Sequence, residues 1–334
     1  MTSHPSPASA EATAMDIVLI GRNEAARLPA VLSALAGTGA RTVYVDSGST
    51  DDSREIVATA GVPVVPLDLA VPFTAARARN AGAAEFDDPA PYLHFFDGDC
   101  VAAPGWLAEA RAFLDAHPDH AMVTGWAAEE HPGRSVYNRL IDWEWKAPAG
   151  PVNSATGNML LRRAAFDAVG GFDPAFIASE EEDLCLRLIA AGWRLERLPR
   201  LMVHHDAAMT TLSAWWRRTE RAGHGLAQLA AKHGHARLRE RRRAWLLGGA
   251  LPLAFLLMLP WVPGLALALL LLYPLSGARG YRALRKDQVP PRDALAFAAL
   301  FTLAKLPTLQ GMLRYHLRRA TGRDLALIEY RRPS

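Results

Sequence analysis

The chain has 334 residues, half of them apolar, with 37 Lys and Arg against 34 Asp and Glu and a formal net charge of +3. That length allows one large core plus an appendage, or two domains. With no known module and no basic, aromatic-studded surface, the sequence argues against a nucleic-acid partner. The two cysteines, Cys100 and Cys185, provide no plausible zinc set and fit a reducing compartment.

Residues 1–14, rich in Ser, Pro and Ala, read as a disordered tail and not as a signal peptide. Residues 16–20 read as a buried strand, followed by the polar turn Gly21-Arg22-Asn23-Glu24 and a helix over 25–35. A second strand at 42–45 runs into Asp46-Ser47-Gly48-Ser49-Thr50-Asp51, and a helix opens near Ser53. A strand at 62–66, a helix at 75–84 and a strand at 92–96 continue the pattern. Strand alternating with helix signals a parallel sheet covered on both faces, with ligands at the carboxyl ends of its strands. Asp46 and Asp97 fall at such ends and should face one crevice. A nicotinamide-binding domain is excluded, because the first turn lacks Gly-x-Gly-x-x-Gly.

Phe96-Asp97-Gly98-Asp99 places two carboxylates one residue apart just beyond a strand. Such carboxylates repel each other, and a hard divalent cation, Mg2+ or Mn2+, relieves the repulsion while bridging to a diphosphate. Cys100 beside them reads as a small buried hydrophobe.

Six separated motifs between residues 16 and 225 together resemble the family-two inverting glycosyltransferases, which have a GT-A fold. They are Ile17-Val18-Leu19-Ile20-Gly21-Arg22-Asn23-Glu24, Val45-Asp46-Ser47-Gly48-Ser49-Thr50-Asp51, Ala78-Arg79-Asn80-Ala81-Gly82, Phe96-Asp97-Gly98-Asp99, Thr156-Gly157-Asn158-Met159 with Gly170-Gly171-Phe172-Asp173, and Glu181-Glu182-Asp183-Leu184-Cys185-Leu186-Arg187. The implied fold is α/β, a mostly parallel central sheet flanked by helices, with C-terminal transmembrane or interfacial helices appended.

The resemblance implies a nucleotide-diphosphate sugar donor, a UDP-sugar first, held by Asn23, Glu24, Asp46, Arg79 and Asp97. Asp46 would accept from a base N–H, with an Asx-turn or helix cap as its competing role. Arg79 would reach a phosphate, or else lie on a solvated helix face. Asp99 is the implied metal ligand, with Asp97 and His205 beside it. Asp183 is the implied general base, its pKa raised by Glu180, Glu181 and Glu182, although the acidic run also suits a helix N-terminus. Gly157, Asn158, Glu182 and Trp216 are expected on the acceptor side. The tryptophans at 215 and 216 would alternatively sit at a lipid interface.

The 32 residues 245–276 carry no charge and are interrupted by Pro252, Pro260, Pro263 and Pro274. Each half is ~24 Å long as a helix, short for a ~30 Å hydrocarbon core. A tight helical hairpin is expected here, spanning obliquely or re-entrant, with one kinked span as the alternative. Arginines flank both ends, which places both flanks in the cytoplasm. The expected division is a GT-A domain at 15–225, a basic helical linker at 226–244, a transmembrane hairpin at 245–277, a cytoplasmic basic loop at 278–293, and an interfacial helix with a basic tail at 294–334. The expectation is a metal-dependent glycosyltransferase at the cytoplasmic membrane, its catalytic domain facing the cytoplasm and its acceptor a lipid-linked or cell-surface glycan. The alternatives are a sugar-phosphate nucleotidyltransferase and a non-catalytic membrane scaffold.

Overall fold

The computed structural model describes residues 15–322; the expected tail at 1–14 and the end of the basic tail lie outside these residues. The chain divides into two units, one built from residues up to 130 together with 142–207, the other from 131–141 and the residues after 207.

In the first unit, β1 (Met15–Gly21), α1 (Leu28–Ala36), β2 (Arg41–Asp46), α2 (Ser53–Thr59), β3 (Val64–Pro66), α3 (Ala75–Ala84) and β4 (Tyr92–Asp97) follow the expected alternation. Then come β5 (Cys100–Ala102), α4 (Trp106–Ala116), β6 (His120–Glu129), α5 (Val136–Trp145, which crosses the boundary between units), β7 (Gly150–Pro151), β8 (Met159–Arg162), α6 (Arg163–Ala168), α7 (Glu180–Ala190) and β9 (Arg194–His205). The sheet order is β3-β2-β1-β4-β8-β6-β9-β5, with β7 added on β9.

The sheet is parallel among β1 to β4 and mixed beyond them: β8 runs antiparallel to both β4 and β6, and β5 antiparallel to β9. The β6–β9 pairing, the longest in the sheet, is again parallel, so the sheet is mostly parallel as expected, with antiparallel strands inserted beyond β4. Side chains that alternate along β1 feed two separate cores, Val18 and Ile20 on one face and Ile17 and Leu19 on the other. Burial on both faces is why these strands read as continuous apolar runs.

The second unit is helical: α8 (Leu212–His233), α9 (Leu238–Trp245), a π-helical turn (Leu246–Ala250), α10 (Leu251–Met258), α11 (Pro263–Leu270), α12 (Leu272–Lys286), α13 (Pro291–Leu303) and α14 (Lys305–Ala320). Two expectations need correction. Residues 212–225 do not close the GT-A domain but begin a long helix of this unit, and helix also fills most of 226–244. Most of the expected basic loop is likewise helix, since α12 carries its arginines through to Lys286.

Residues 245–276 do fold back on themselves. The Tyr273 hydroxyl donates to the Leu247 carbonyl at 2.6 Å, which a single kinked rod would not permit. Among the described residues, Pro291–Ala320 is the one helix long and apolar enough to cross a membrane. The sequence had pointed instead to an interfacial helix there and to the span at 245–277.

Candidate active site

Parallel register carries two carboxylates to one end of the sheet. Gly21 pairs with Asp46 and Ile20 with Asp97, on either side of β1. Asp46 is buried, and its carboxylate accepts from the backbone N–H groups of Gly48 and Ser49 at 3.2 and 3.1 Å, the Asx-turn alternative. Asn23, at φ 58°, ties the first turn to the second: its Oδ1 accepts from the Thr50 N–H at 2.8 Å, and its own N–H donates to Ser49 Oγ. Glu24 joins the same bracing, its N–H donating to Ser53 Oγ at 2.9 Å.

Arg79 departs from expectation. It is 2 % exposed, and its guanidinium is spread over three carboxylates, Asp97 at 2.9 Å, Glu180 at 3.0 Å and Glu181 at 3.2 Å. Arg79 therefore does not lie on a solvated face: its Nη1 and Nη2 groups are engaged by carboxylates, while its buried Nε has no hydrogen-bond partner among the described residues. It neutralises the crevice floor and locks α3 to β4 and α7. Gly157 lies directly against this cluster, where an added Cβ would sit 2.2 Å from Arg79 Nη2. Asn158 Oδ1 accepts from the Asp97 N–H at 3.1 Å, and its Nδ2 donates to Cys100 Sγ.

Antiparallel pairing of β5 with β9 sets Cys100 opposite His205. His205 Nε2 consequently stands 3.0 Å from Asp99 Oδ2, and Asp99, Cys100 and His205 offer ligand atoms within 4.8 Å of one another. Trp145 stacks on the His205 ring at 4.7 Å and helps fix its plane. Burial, reinforced by Asp99, pushes the Cys100 thiol well above its ordinary pKa. A carboxylate, an imidazole and the adjoining Asp97 form an oxygen-rich set that suits Mn2+ or Mg2+.

Asp183, the expected base, is fully buried and its Oδ2 accepts from Arg187 Nε at 2.9 Å, one turn along the same helix. Glu181 lies beside Arg79 and Asp97 instead and keeps partial solvent access. Burial, with the charge of Glu180 adding to it and Arg79 opposing, raises its pKa from 4.5 to about 7. Ser179, at φ 65°, turns the chain into this helix in a conformation rare for a side-chain-bearing residue. Glu182 stands partly exposed between the two carboxylates.

Trp216 belongs to the second unit, where its Nε1 donates to Gln310 at 2.9 Å. Sequence reasoning missed Trp145 and passed over Glu181 as a neighbour of the base. The Asp183–Arg187 pair had a signal in the sequence, since the two stand at the i,i+4 spacing that pairs on a helix.

Residues 16–173 match the family described as Glycosyl transferase family 2. The Pre-mycofactocin glycosyltransferase of Mycobacterium tuberculosis is 29% identical over 311 residues, 89% of this chain and 63% of the relative, so the chain spans less than two-thirds of that protein's length. The succinoglycan biosynthesis protein ExoA of Rhizobium meliloti is 29% identical over 223 residues, 60% of this chain and 65% of the relative. Among solved structures, a mannosyltransferase from Pyrobaculum calidifontis in complex with GDP-Man and Mn2+ matches with a TM-score of 0.59 at 17% identity, covering 91% of this chain and 87% of the other. Glucosyl-3-phosphoglycerate synthase from Mycobacterium tuberculosis, in complex with Mg2+ and UDP, matches with a TM-score of 0.51 at 16% identity, covering 68% and 82%. These likenesses place the fold in the GT-A class.

Proposed function

We propose, from the premise that residues 16–173 are a glycosyl transferase family 2 domain, that this chain is a metal-dependent inverting hexosyltransferase. Its donor is a nucleotide-diphosphate sugar, UDP-linked in the first instance, and its acceptor a hydroxyl of a lipid-linked or cell-surface glycan. The observation that carries this reading is His205 Nε2 standing 3.0 Å from Asp99 Oδ2, two residues beyond an Asp97 that Arg79 links to Glu181.

A divalent cation held by Asp99 and His205, with Asp97 alongside, would neutralise charge on the departing diphosphate. The protein's own side chains do the rest. Asp46 has lone pairs beyond its Asx-turn and sits where a base N–H would approach. The acceptor oxygen attacks the anomeric carbon, the bond from that carbon to the diphosphate oxygen breaks, and the nucleoside diphosphate leaves. Glu181 takes the acceptor's proton, and its pKa of about 7 suits a base working near neutrality. Arg79 is a positioning residue that holds Asp97 and Glu181 in one frame. Attack from the face opposite the leaving group inverts the anomeric centre.

Two structural neighbours, one in complex with Mn2+ and one with Mg2+, support the cation. The name of one relative, a succinoglycan biosynthesis protein, supports a glycan acceptor. Arginines flanking the apolar hairpin favour the cytoplasmic face of the inner membrane. The test is transfer from UDP-, GDP- and TDP-sugars by the full chain in detergent, with Mn2+, Mg2+ or EDTA. Nucleoside diphosphate should be released from one donor, only with metal, and not by Asp99→Asn. Pyrophosphate formed from a sugar phosphate and a nucleoside triphosphate would instead identify a nucleotidyltransferase. Donor binding without turnover on any acceptor would leave a scaffold, and no binding at all would end the reading.

A further inference from the structure

In most folded chains large apolar side chains are covered, yet the hairpin of the second unit displays them. Leu253, Leu256, Leu257, Leu265 and Leu271 are all more than half exposed, and Trp261, at the tip, is 84% exposed. A contiguous apolar surface of this kind marks a contact with another apolar phase. Its two arms run back to back, joined by the Tyr273–Leu247 hydrogen bond near their base.

The tip is built to leave water. The N–H of Leu259 donates to Phe255, and those of Trp261 and Val262 both donate to Met258, at 3.0, 3.1 and 2.8 Å. Pro260 and Pro263 carry no N–H. Every backbone donor from 259 to 263 is therefore satisfied internally or absent, as a hydrocarbon medium requires of N–H groups. Charge sits at the other end. Exposed Arg242 and Arg243 precede the first arm, and exposed Arg279 and Arg282 follow the second. Both ends of the hairpin thus meet the same kind of surface, an anionic one, while the tip between them carries no charge.

Length decides how deep it goes. Residues 246–259, fourteen in all, make about 21 Å of helix, against ~30 Å for a hydrocarbon core. The long helix Pro291–Ala320 does not supply the missing span. It packs backbone to backbone on α8, where a Cβ on Gly223 would meet the Thr308 carbonyl at 2.1 Å, and its Arg314 is paired with buried Glu220 at 2.7 Å.

We infer that residues 246–276 are a re-entrant hairpin that enters an anionic bilayer from one side and leaves by the same side, with Pro291–Ala320 packed along one side on α8 and not a crossing. This deepens the membrane placement proposed above and rests on that placement alone, independent of any glycosyl transfer.

The test uses the full chain mixed from detergent into phosphatidylcholine vesicles with or without phosphatidylglycerol, followed by flotation. Wild type should float with the phosphatidylglycerol vesicles and stay bound through a high-salt wash. Wild type left in the soluble fraction, as monomer or as a self-associated particle without lipid, overturns the proposal. Leu257→Glu with Trp261→Glu should cut the bound fraction about tenfold or more, since burying acidic side chains in hydrocarbon is costly. Equal flotation of this variant also overturns it. Depth is read on Trp261→Cys with an impermeant maleimide, against a low background from the buried Cys100 and Cys185. Protection from reagent on both sides of sealed vesicles is expected, with labelling after detergent. Labelling from the side opposite the bound protein would mean that the hairpin crosses.

Discussion

The crevice of the first unit and the hairpin of the second solve opposite problems. In the crevice, charge has been taken out of water: Arg79, Glu180 and Asp46 are buried, each with partners that compensate for lost hydration. In the hairpin, apolar surface has been left in the open while its backbone is closed on itself. A polar group buried without partners costs more than an apolar group exposed, so the first arrangement has to be specified residue by residue, whereas the second tolerates change along its arms. The crevice should be brittle and the hairpin permissive, except where a charge is placed on its tip.

The largest effect that would sharpen this contrast is at the strand-end pair. Asp99→Ala should lower metal-dependent turnover about 10³-fold, as loss of a main electrostatic stabiliser does, while donor binding is followed by calorimetry. Next comes the base. Glu181→Gln should cost about 10²-fold or more in kcat. Because Glu181 must be ionised to accept a proton, wild-type activity should rise with pH through about 7, and this limb should vanish in the variant.

Stability carries the opposite sign. A carboxyl whose pKa is raised from 4.5 to about 7 binds its proton more tightly in the folded state. Its contribution is present at low pH and declines as pH rises from about 4.5 through about 7. Asp183→Asn should keep the activity limb and instead lower stability by about 1–3 kcal/mol in denaturant titration, because it weakens the buried pair with Arg187. An activity limb abolished by Asp183→Asn and kept by Glu181→Gln would return the base to Asp183.

Two glycines test packing in the two units. Gly157→Ala should cost about 1–3 kcal/mol through overpacking and reduce kcat as well, since the new methyl would push on Arg79 and Asp97. Gly223→Ala should cost a similar ~1–3 kcal/mol against the Thr308 backbone. Its nucleotide binding by calorimetry should stay at the wild-type level, and a large loss there would break the separation drawn between the regions. The smallest effect is expected at Trp216→Phe, which removes the exposed hydrogen bond to Gln310 and should cost about 0.5 kcal/mol in thermal unfolding.

Much of the site was legible because strands are short and their ends are marked. Asp46, Asp97 and Asp99 each follow an apolar run, and a parallel βα pattern sends such ends to one side of the sheet. The proline pair at 260 and 263 similarly marked the turn of the hairpin. His205 was harder: a histidine at a strand end carries no address for its partner, 106 residues away, until β5 and β9 settle their register. Arg79 was misread because its three carboxylate partners arrive from two other segments of the chain.

The sequence by itself determined which stretches become strands and helices, which strand ends carry acid, and that an uncharged run would double back at its prolines. These are local properties, written in periodicity and in residues that cannot continue a helix. Only the tertiary structure decided which acid of a run faces the crevice. On a helix of 3.6 residues per turn, positions 181 and 183 point about 200° apart, so one meets Arg79 and the other is sealed against Arg187. Nothing within the run of four acids fixes that rotation. It is set by how α7 packs on its neighbours, a balance of contacts drawn from the whole unit.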